Sequence, residues 1–414
     1  PSGVIVDPLS QRLSPRSVPL FASNGTTLLM VWRDNRYSTK EDLVARTVHS
    51  FDELAAPGDD PILISLSARA QESVRLARAG EHLLAVWRDD AHRDLEGVID
   101  GAPRSFVHSL SKDLEIDAAV AGRQVFLLLW HELGGAAFVT RIALNGDVLD
   151  RVPVEVCGSR RVGAARDVAS FVVTCQADDY SLAIKRIDEN GTLTTVSEKQ
   201  LPQFPESTQP IVADNHLMLA SYWMGLHSSP GVWPYTFLDL YPADTPPANR
   251  SDQRYRFVTN GAVWSTAVGP GHVTLAAFCH SYGCPGVFLA QSAFDGTKIR
   301  AVGSPALAKV WQAEGSAMVW DGTEYVLAWT ELLPSHTYRV RAIRLNETAV
   351  ALDAAPFDIT VAGASPDTPS LVVTESGVLI GYSRADSDSG GAPRAYTRTL
   401  DRAVQIPRRS SARH

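Results

Sequence analysis

One short motif returns eight times along this chain and constrains the fold more than any other feature. Each copy is an apolar run of five residues that closes on an aromatic or similarly bulky residue and follows residues typical of a turn. The eight copies end at Trp32, Trp87, Trp130, Cys175, Tyr222, Phe278, Trp329 and Tyr382. Successive end residues are roughly 43 to 56 positions apart, so the chain consists of repeated structural units.

The period is that of β-propeller blades rather than of helical or leucine-rich solenoids. In the seventh repeat the pattern predicts strands at 315–320, 324–330 and 338–345 and an outer strand ending near 357–360. The second of these is almost wholly apolar because a middle strand is covered on both faces, whereas the third alternates with period two. The third repeat follows the same scheme, with predicted third and outer strands at 137–144 and 148–156. We therefore expect an all-β, eight-bladed β-propeller of four-stranded antiparallel blades.

All eight repeats are expected to form a single domain spanning residues 1–414. The predicted blades are 15–67, 68–112, 113–157, 158–202, 203–258, 259–308, 309–362 and 363–407, with a tail at 408–414. Residues 3–8 have the pattern of an outermost strand that lacks the three strands before it. We expect Val4 to Asp7 to pair into the last blade and close the ring, since an open ring would expose a long sheet edge. The alternative is that Ala403 to Ile406 completes the last blade alone.

The repeats resemble the Trp-x-Asp-bearing propeller repeats of large secreted bacterial proteins, and the resemblance covers nearly the whole chain. Trp32 and Trp87 are each followed two places later by an acid, Asp34 and Asp89. The resemblance implies an architecture but no activity. The Ser-x-Asp-x-Gly-x-x-Trp box of sialidases, the Gly-His and Trp-Asp signature of WD repeats and the double glycine of kelch repeats are all absent.

The composition restricts the partners and the compartment. The chain has 38 basic and 46 acidic residues, a net charge of −8, and no concentration of Lys or Arg that could follow a phosphate backbone. We expect no nucleic-acid partner, and no membrane span because no apolar stretch approaches 18 residues. Because the chain begins at Pro1 without Met, we expect a leader or an upstream domain to have been removed. The excess of Arg over Lys suggests a bacterial source.

Four cysteines favour an exported protein. Cys279 and Cys284 flank a segment that a hairpin loop can close as a disulfide, and Cys157 and Cys175 fall near the ends of neighbouring blade strands. Four inert buried thiols are the alternative, above all for Cys175, which occupies the bulky apolar position of its repeat. The spacing does not match a zinc site. We expect a secreted, cell-surface or periplasmic protein, a monomer or part of a larger secreted protein, without a cofactor.

The default ligand site of a propeller is the mouth of its central channel, surrounded by the loops between second and third strands. In this chain those loops hold five of the 11 histidines, although polar loops also collect polar residues without a function. Two loops break the repeat pattern: one contains Trp223, His227 and Trp233, and the other carries His280 and Tyr282. The expected ligand-binding residues are His92, His131, Glu132, Trp223, His227, Trp233, His280, Tyr282, Glu331, His336 and Arg384.

An acid recurs two places after the bulky residue, at Asp34, Asp89, Glu132 and Glu331. A group repeated around a ring is explained most simply as a hydrogen-bond acceptor for loop amides. Glu132 and Glu331 would face each other across eight blades. A glycosidase would need their carboxyl groups about 5 Å apart, or roughly 6.5 to 9.5 Å apart for inverting chemistry, which a wide mouth makes difficult.

Three functional hypotheses follow. The favoured one is a secreted, non-catalytic propeller that holds a protein or a glycan at its mouth, because the loops are asymmetric and no catalytic constellation is present. The alternative for Trp223 and Trp233 is a hydrophobic plug of the channel. The second is a hydrolase or lyase acting on a polysaccharide or a small polar molecule, with Glu132, Glu331 or a loop histidine as acid or base. The third is a metal site of loop histidines, disfavoured because none are spaced as a local pair.

Overall fold

The computed structural model describes the strands of the chain and many of the turns between them. The described residues are 4–5, 18–24, 27–34, 42–49, 53, 62–65, 74–89, 94–108, 114–132, 134–158, 161–167, 169–176, 181–200, 207–214, 216–225, 235–242, 255–258, 262–279, 287–295, 297–303, 312–360, 363–364, 367–385 and 393–401. Among them, no helix is both long and apolar enough to cross a membrane.

The strands follow one another in groups of four. Those of the first half are β1 (Val4–Ile5), β2 (Leu20–Ser23), β3 (Leu28–Asp34), β4 (Asp42–Val48), β5 (Ile62–Ser65), β6 (Arg75–Ala79), β7 (His82–Asp89), β8 (Asp94–Ile99), β9 (Ala102–Val107), β10 (Leu114–Ala121), β11 (Val125–Glu132), β12 (Ala137–Ala143), β13 (Val154–Cys157), β14 (Arg161–Arg166), β15 (Ser170–Gln176), β16 (Ser181–Asp188) and β17 (Leu193–Gln200). Those of the second half are β18 (Ser207–Ala213), β19 (His216–Gly225), β20 (Tyr235–Pro242), β21 (Tyr255–Val258), β22 (Ala262–Gly269), β23 (His272–Cys279), β24 (Val287–Ala293), β25 (Lys298–Gly303), β26 (Gln312–Trp320), β27 (Tyr325–Leu332), β28 (Tyr338–Leu345), β29 (Phe357–Asp358), β30 (Ser370–Val373), β31 (Gly377–Ala385) and β32 (Pro393–Asp401).

These strands form an all-β propeller of small antiparallel sheets. Sheets one to seven each contain four strands consecutive in sequence, from β2–β5 through to β26–β29, and sheet eight has the order β30, β31, β32 and then β1. The first strands of neighbouring sheets contact each other, as β6 and β14 both contact β10. The first strands therefore line the channel, and the fourth strands lie at the rim.

The predicted number of separate blades needs a correction. Eight four-stranded units are present among the described strands, but sheets seven and eight are joined by two backbone bridges through Ala364, to Tyr338 in β28 and to Arg384 in β31. Counted as continuous hydrogen-bonded sheets, there are therefore seven and not eight. The physical reason is that Ala364, between β29 and β30, forms backbone bridges with both sheets. The two sheets are therefore joined by the backbone as well as by side-chain packing.

The second strand of each unit is the apolar core, as its sequence indicates. Trp87 and Trp329 are 1% and 0% exposed, and seven of the eight motif end residues have described side chains that are all buried. A middle strand is covered by the sheets before and after it, so both of its faces need apolar side chains. The repeated motif thus encodes burial on two faces rather than a half-solvated strand.

The core is divided into eight apolar clusters, each shared by two neighbouring sheets. The first lies between sheets one and two, and six more follow in order to the seam between sheets seven and eight. The last cluster packs Met30 and Trp32 of sheet one against Leu379 and Ala395 of sheet eight. The ring is therefore closed by apolar packing between its first and last sheets.

The strand β1 adds a second link across the ends of the chain. Val4 pairs with Thr397 and Ile5 pairs with Tyr396, so β1 is the outer strand of sheet eight. This antiparallel pairing is the one expected for the N-terminal strand. Residues 403–406, the alternative fourth strand, lie outside the described residues.

Gly381 in β31 lies where sheets one and eight pack together, so a substitution at this position tests that packing. A Cβ atom on Gly381 would meet the ring of Phe21 and the hydroxyl of Ser370, and that hydroxyl donates a hydrogen bond to the carbonyl of Pro19. We expect Gly381→Ala to lower the free energy of unfolding by ~1–3 kcal/mol, because overpacking must displace one of these groups. Urea unfolding measures it. Gly158→Ala, which has open space around the new methyl, is the control; equal midpoints for the two variants would contradict this packing.

The outer strand predicted at 148–156 in the third repeat is wrong in its start. The strand is β13 (Val154–Cys157), and residues 149–153 form bends and irregular structure. The cause is Asp150, whose carboxylate accepts hydrogen bonds from the backbone N–H of Arg141 at 2.7 Å and from its guanidinium at 2.6 Å. A side chain thus takes the place of the ladder bond that an outer strand would make. Asp353 and Arg344 repeat the arrangement, with the same bonds at 2.8 and 2.6 Å.

One of the two predicted disulfides is present. Cys157 of β13 is bonded to Cys175 of β15, which joins sheet three to sheet four. The alternative of inert thiols is therefore wrong for this pair. The predicted Cys279–Cys284 disulfide lies outside the described residues, except that the backbone of Cys279 ends β23.

Candidate functional site

The candidate site is the end of the channel at which second strands end and third strands begin. Because neighbouring strands are antiparallel, the first strands start at this same end, as Leu114 in β10 is paired with Glu132 in β11. We call this end of the ring the mouth. Side chains from the start of a first strand and from the end of a second strand can therefore meet there.

The structure describes six of the eleven predicted ligand-binding residues in whole or in part. His131, Glu132, Glu331, His336 and Arg384 have described side chains, and Trp223 is placed in β19 opposite Phe237 by its backbone. The other five lie outside the described residues: His92, His227, Trp233, His280 and Tyr282. The two loops that break the repeat pattern therefore remain predictions.

His131 is the centre of a charged cluster in sheet three. Its Nδ1 lies 2.8 Å from Oδ2 of Asp117, and its Nε2 lies 3.4 Å from Oε2 of Glu115. The imidazole is 5% exposed, while the Glu115 carboxylate keeps 42% of its surface in solvent. The histidine is thus held between a carboxylate that is 19% exposed and one that is 42% exposed, a geometry that fixes the ring orientation.

A β-bulge places Asp117 next to this histidine. The pairing between β10 and β11 runs from Ile116–Trp130 directly to Ala118–Leu129 and leaves Asp117 as the extra residue. Its backbone carbonyl accepts a hydrogen bond from Nε of Arg75 in the neighbouring sheet at 3.2 Å. The bulge therefore directs a carboxylate and a carbonyl into one polar seam between sheets two and three.

Arginines of sheet two supply further donors to this seam. Nη1 of Arg88 donates to the carbonyl of Leu114 at 3.1 Å, and Nη1 of Arg75 donates to the carbonyl of Val74 at 3.1 Å. Burial lowers the pKa of Arg75, and the charge of Asp117 opposes that effect. Both arginines are thus committed at least in part to backbone carbonyls at the channel end.

Burial raises the pKa of the Asp117 carboxyl, and the hydrogen bond and charge of His131, together with the charge of Arg75, oppose the rise. The folded chain therefore binds a proton at Asp117 more strongly than the unfolded chain does. In such a case folding takes up a proton in the pH range between the two pKa values, and the stability contribution of the group falls as pH rises through that range. The range begins at the ordinary aspartate value of about 3.9 and extends upward.

Asp117→Asn should consequently gain stability relative to the unchanged protein as pH rises from about 4. Urea unfolding at several pH values below about 6, where histidine is ordinarily protonated, measures the difference. Asp188→Asn is the matched control with the opposite sign. Hydrogen bonds from Thr192 and Asn190 lower the pKa of exposed Asp188, so its stabilising contribution is present above about pH 4 and is lost in acid. Parallel pH trends in the two variants would contradict the assignment.

Glu331 belongs to an ion-pair network in sheet seven. Its side chain is 0% exposed, and its Oε2 accepts a hydrogen bond from Nε of Arg339 at 2.8 Å and lies 3.6 Å from Nη1 of Arg341. Arg341 also lies 3.2 Å from Asp358 and places its guanidinium 6.0 Å from the centroid of the Trp329 ring. As expected, this acid accepts hydrogen bonds, and its donors include an arginine side chain of the third strand.

The other described candidates hold turns and strand ends at the mouth. The backbone N–H of Glu132 donates to the carbonyl of Ala136, and its carbonyl accepts from the N–H of Gly135. His336 is exposed and has a φ of 57°, a left-handed conformation in a turn that begins at Leu333. Arg384 lies with its guanidinium carbon 5.6 Å from the centroid of the Tyr396 ring.

The described candidates form two separate groups rather than one convergent constellation. His131 contacts Glu115 and Asp117 of β10, whereas Glu331 contacts Arg339 and Arg341 of β28. Glu115, Asp117 and Arg75 escaped the sequence analysis because they lie in first strands and not in loops. Within the described ranges, no three or more His, Cys, Asp or Glu side chains are arranged to hold a metal ion.

No protein-family model matches the chain, and no curated protein matches it. Solved structures with similar folds include a puromycin hydrolase, with 13% identity, a TM-score of 0.48 and coverage of 93% of this chain and 60% of that one. A puromycin-hydrolyzing peptidase of Mycobacterium tuberculosis has 12% identity, a TM-score of 0.47 and the same coverages. The Cps50 (Swd1) β-propeller domain of Myceliophteria thermophila has 11% identity, a TM-score of 0.43, and coverages of 80% and 97%.

These similarities concern the fold alone. This chain spans about 60% of the length of the puromycin hydrolases that it matches. The similarities favour neither catalysis nor binding.

Proposed function

We propose that this chain is a secreted, non-catalytic propeller that holds a protein or a glycan at its mouth. The observation that carries the proposal is the state of Glu331. This carboxylate is completely buried and paired with Arg339, so it is committed to the fold and has no surface with which to meet a substrate. Among the predicted acids with described side chains, the most deeply buried is thus a structural group.

Further observations support the individual parts of the proposal. The apolar cluster between the first and last sheets supports a closed ring. The Cys157–Cys175 disulfide supports an oxidising compartment, since disulfides persist mainly in exported proteins. The exposed His336 and the Glu115 carboxylate supply polar groups at the mouth that a partner could contact.

We expect the protein or glycan partner to be recognised by side chains that differ between blades. Aromatic and imidazole groups suit stacking on a sugar ring or packing in a protein interface. We assign this role to the candidates of the two irregular loops, namely Trp223, His227, Trp233, His280 and Tyr282, together with His92, His336 and Arg384. Their combined action at one mouth would give an extended surface rather than a deep pocket.

Glycan and protein arrays with the intact protein test the proposal. We expect saturable binding that falls at least about tenfold, or 1.4 kcal/mol, in Trp223→Ala and measurably in His336→Ala. Arg78→Ala is the control, because this exposed side chain lies near the opposite end of the ring and donates to the carbonyl of Gly80. Equal unfolding midpoints ensure that lost binding is not lost folding. Binding that survives both mouth substitutions unchanged would exclude this surface.

The second candidate is a hydrolase or lyase of a polysaccharide or a small polar molecule. Its supporting observation is the 2.8 Å contact between Asp117 and Nδ1 of His131, because a carboxylate that orients an imidazole is a common acid–base arrangement. Under this hypothesis Glu115, the exposed member, would exchange protons with the substrate. Turnover of a polysaccharide substrate that is lost in Glu115→Gln, with binding retained, would favour this candidate over the first.

A further inference from the structure

The charge at the end of β31 breaks the pattern of the repeat. Two places after the bulky residue of the motif, sheets one, two, three and seven have an acid, whereas sheet eight has Arg384. In sheet seven this acid is Glu331, which is directly paired with Arg339 of the third strand. In sheet eight Arg384 is directly paired with Arg394 of the third strand. The same place at the mouth therefore holds opposite charges in sheet seven and like charges in sheet eight.

Arg384 and Arg394 have no counterion in the part of the chain that the structure describes. The guanidinium of Arg384 contacts the Tyr396 ring, and Nε of Arg394 is buried without a hydrogen-bond acceptor. No described carboxylate forms an ion pair with either side chain. Like charges directly opposite each other destabilise an antiparallel pair, because their Cβ atoms are only about 5 Å apart. A repulsive pair with an unsatisfied donor is expected at a functional site, where a ligand supplies what the fold does not.

The two arginine side chains project from the same face of sheet eight, as directly paired residues of antiparallel strands do. Both are half-buried, so part of each remains accessible at the mouth. Arg398, four places further along β32, lies on the same face and donates to the carbonyls of Asp358 and Ile359. That third arginine is thus committed to the fold, and its contacts show that this face is turned towards sheet seven.

Sheet seven indicates which anion this place can hold. There the carboxylate of Glu331 accepts a hydrogen bond from Nε of Arg339 at 2.8 Å. Guanidinium groups bind carboxylates through two parallel N–H···O bonds, which adds geometric specificity to the attraction of the charges. Because the strand pairing is the same in sheet eight, the carboxylate of a ligand could take the place that Glu331 has in sheet seven. It would offset the repulsion between the two arginines and supply their missing acceptors.

The charge of the rest of the protein favours a protein ligand over an acidic polysaccharide. The Glu115 carboxylate at the mouth is 42% exposed, and the chain has a net charge of −8, so a polyanion would be repelled. A protein surface carries both signs of charge and can complement the arginines and Glu115 together. We propose that Arg384 and Arg394 bind an aspartate or glutamate side chain of a partner protein. The inference rests on the proposed function and narrows it to one class of partner.

A small carboxylate tests the site in the intact protein. The probe is N-acetylglutamate amide, and its uncharged control is N-acetylglutamine amide. In protein with ¹⁵N-labelled arginine, we expect the Nε–H signals of Arg384 and Arg394 to shift saturably with the glutamate probe and not with the control. Arg78, near the opposite end of the ring, is the internal reference. Signals of the pair that move no more than that of Arg78 overturn the proposal.

Arg384→Glu separates binding from folding. This substitution recreates the acid–arginine pair of sheet seven, so the urea midpoint should be kept or raised. Binding of the glutamate probe should nevertheless weaken at least about tenfold, because the place of the ligand carboxylate is taken. Arg384→Gln, which removes one charge without adding another, serves if the first variant does not fold. Unchanged binding of the probe by a folded variant overturns the site.

Two larger probes identify the source of the carboxylate. From a displayed library of short random peptides, we expect the unchanged protein to select peptides that contain Asp or Glu. Replacing that acid by its amide and introducing Arg384→Glu should each weaken binding at least about tenfold, and the two losses should not add. Oligogalacturonate that binds through the same arginines more tightly than any selected peptide overturns the assignment to a protein.

The same peptides distinguish this inference from the proposed function. Binding that is lost in Trp223→Ala but is indifferent to Arg384→Glu overturns the arginine site and leaves the proposed mouth in place. Binding that depends on the arginines but not on Trp223 or His336 supports the site and contradicts the role given to the other candidates.

Discussion

Glu331→Ala is expected to lower the free energy of unfolding by ~3–5 kcal/mol, the loss typical of removing one partner from a buried ion pair. The substitution leaves the guanidinium groups of Arg339 and Arg341, whose side chains are 23% and 14% exposed, without their buried counterion. Asp358 remains near both but is itself 38% exposed. Urea unfolding followed by tryptophan fluorescence should report the change, because Trp329 lies under Arg341.

Two further variants show whether charge is the cause. Glu331→Met combined with Arg339→Met replaces a paired charge with apolar side chains and should recover part of the loss, since a well-packed apolar pair can substitute for a buried ion pair. Glu198→Ala removes an exposed acid from the outer strand of sheet four and should change the free energy by less than ~0.5 kcal/mol. If Glu331→Ala unfolds at the same urea concentration as Glu198→Ala, the network does not stabilise sheet seven.

The second large effect is expected at the disulfide between sheets three and four. Replacing both Cys157 and Cys175 by alanine should lower the free energy of unfolding by ~2–4 kcal/mol, because the bond restricts the unfolded chain. The two sulfurs are also buried, in a cluster with Val156 and Phe171. Thermal and urea unfolding of the double variant measure the loss.

Reduction provides the control for this second prediction. A reducing agent should destabilise the unchanged protein by a similar amount and should have a smaller effect on the double variant. Neighbouring contacts remain in both, including the hydrogen bond from Nζ of Lys185 to the carbonyl of Val156. If a reducing agent lowers the unfolding midpoints of both proteins equally, the Cys157–Cys175 disulfide is not the bond whose reduction destabilises the protein.

The strands were predictable where burial alone determines them. The alternation from Tyr338 to Leu345 predicts a strand with the bounds that β28 has. The apolar runs ending at Trp130 and Trp329 predict the buried second strands in the same way, because two-sided burial requires an uninterrupted apolar sequence. Such patterns depend only on local sequence and on the period of the strand.

The outer strands were not predictable from the same patterns. Residues 148–153 were predicted as the start of an outer strand, but the Asp150 carboxylate accepts the backbone N–H of Arg141. The signal was present as an Arg followed nine residues later by an Asp, and it recurs as Arg344 and Asp353. Since a carboxylate on a turn competes with the sheet for one donor, a hydrophobic pattern cannot decide the outcome.

The candidate site was predictable in part. His131 was identified by its position at the end of a second strand, but its partner Asp117 depends on a bulge in β10 that shifts one residue out of the ladder. Glu331 was identified as an acceptor, and its donors follow from the register, since Arg339 is its direct partner in β28. The strand register predicts which residues are neighbours within a blade. Contacts between blades, such as that of Arg75 with Asp117, follow only from the arrangement of the blades in the ring.

The pairing of Val4 and Ile5 with Tyr396 and Thr397 has a practical consequence for engineering. The first and last described strands lie side by side, so a short peptide linker between them would make the polypeptide circular without displacing a sheet. The circle could then be cut at a surface turn, for example beside Gly146 in the turn after β12. Circular permutants of this kind would give the protein new ends on any chosen blade, because every apolar cluster would keep both of its walls.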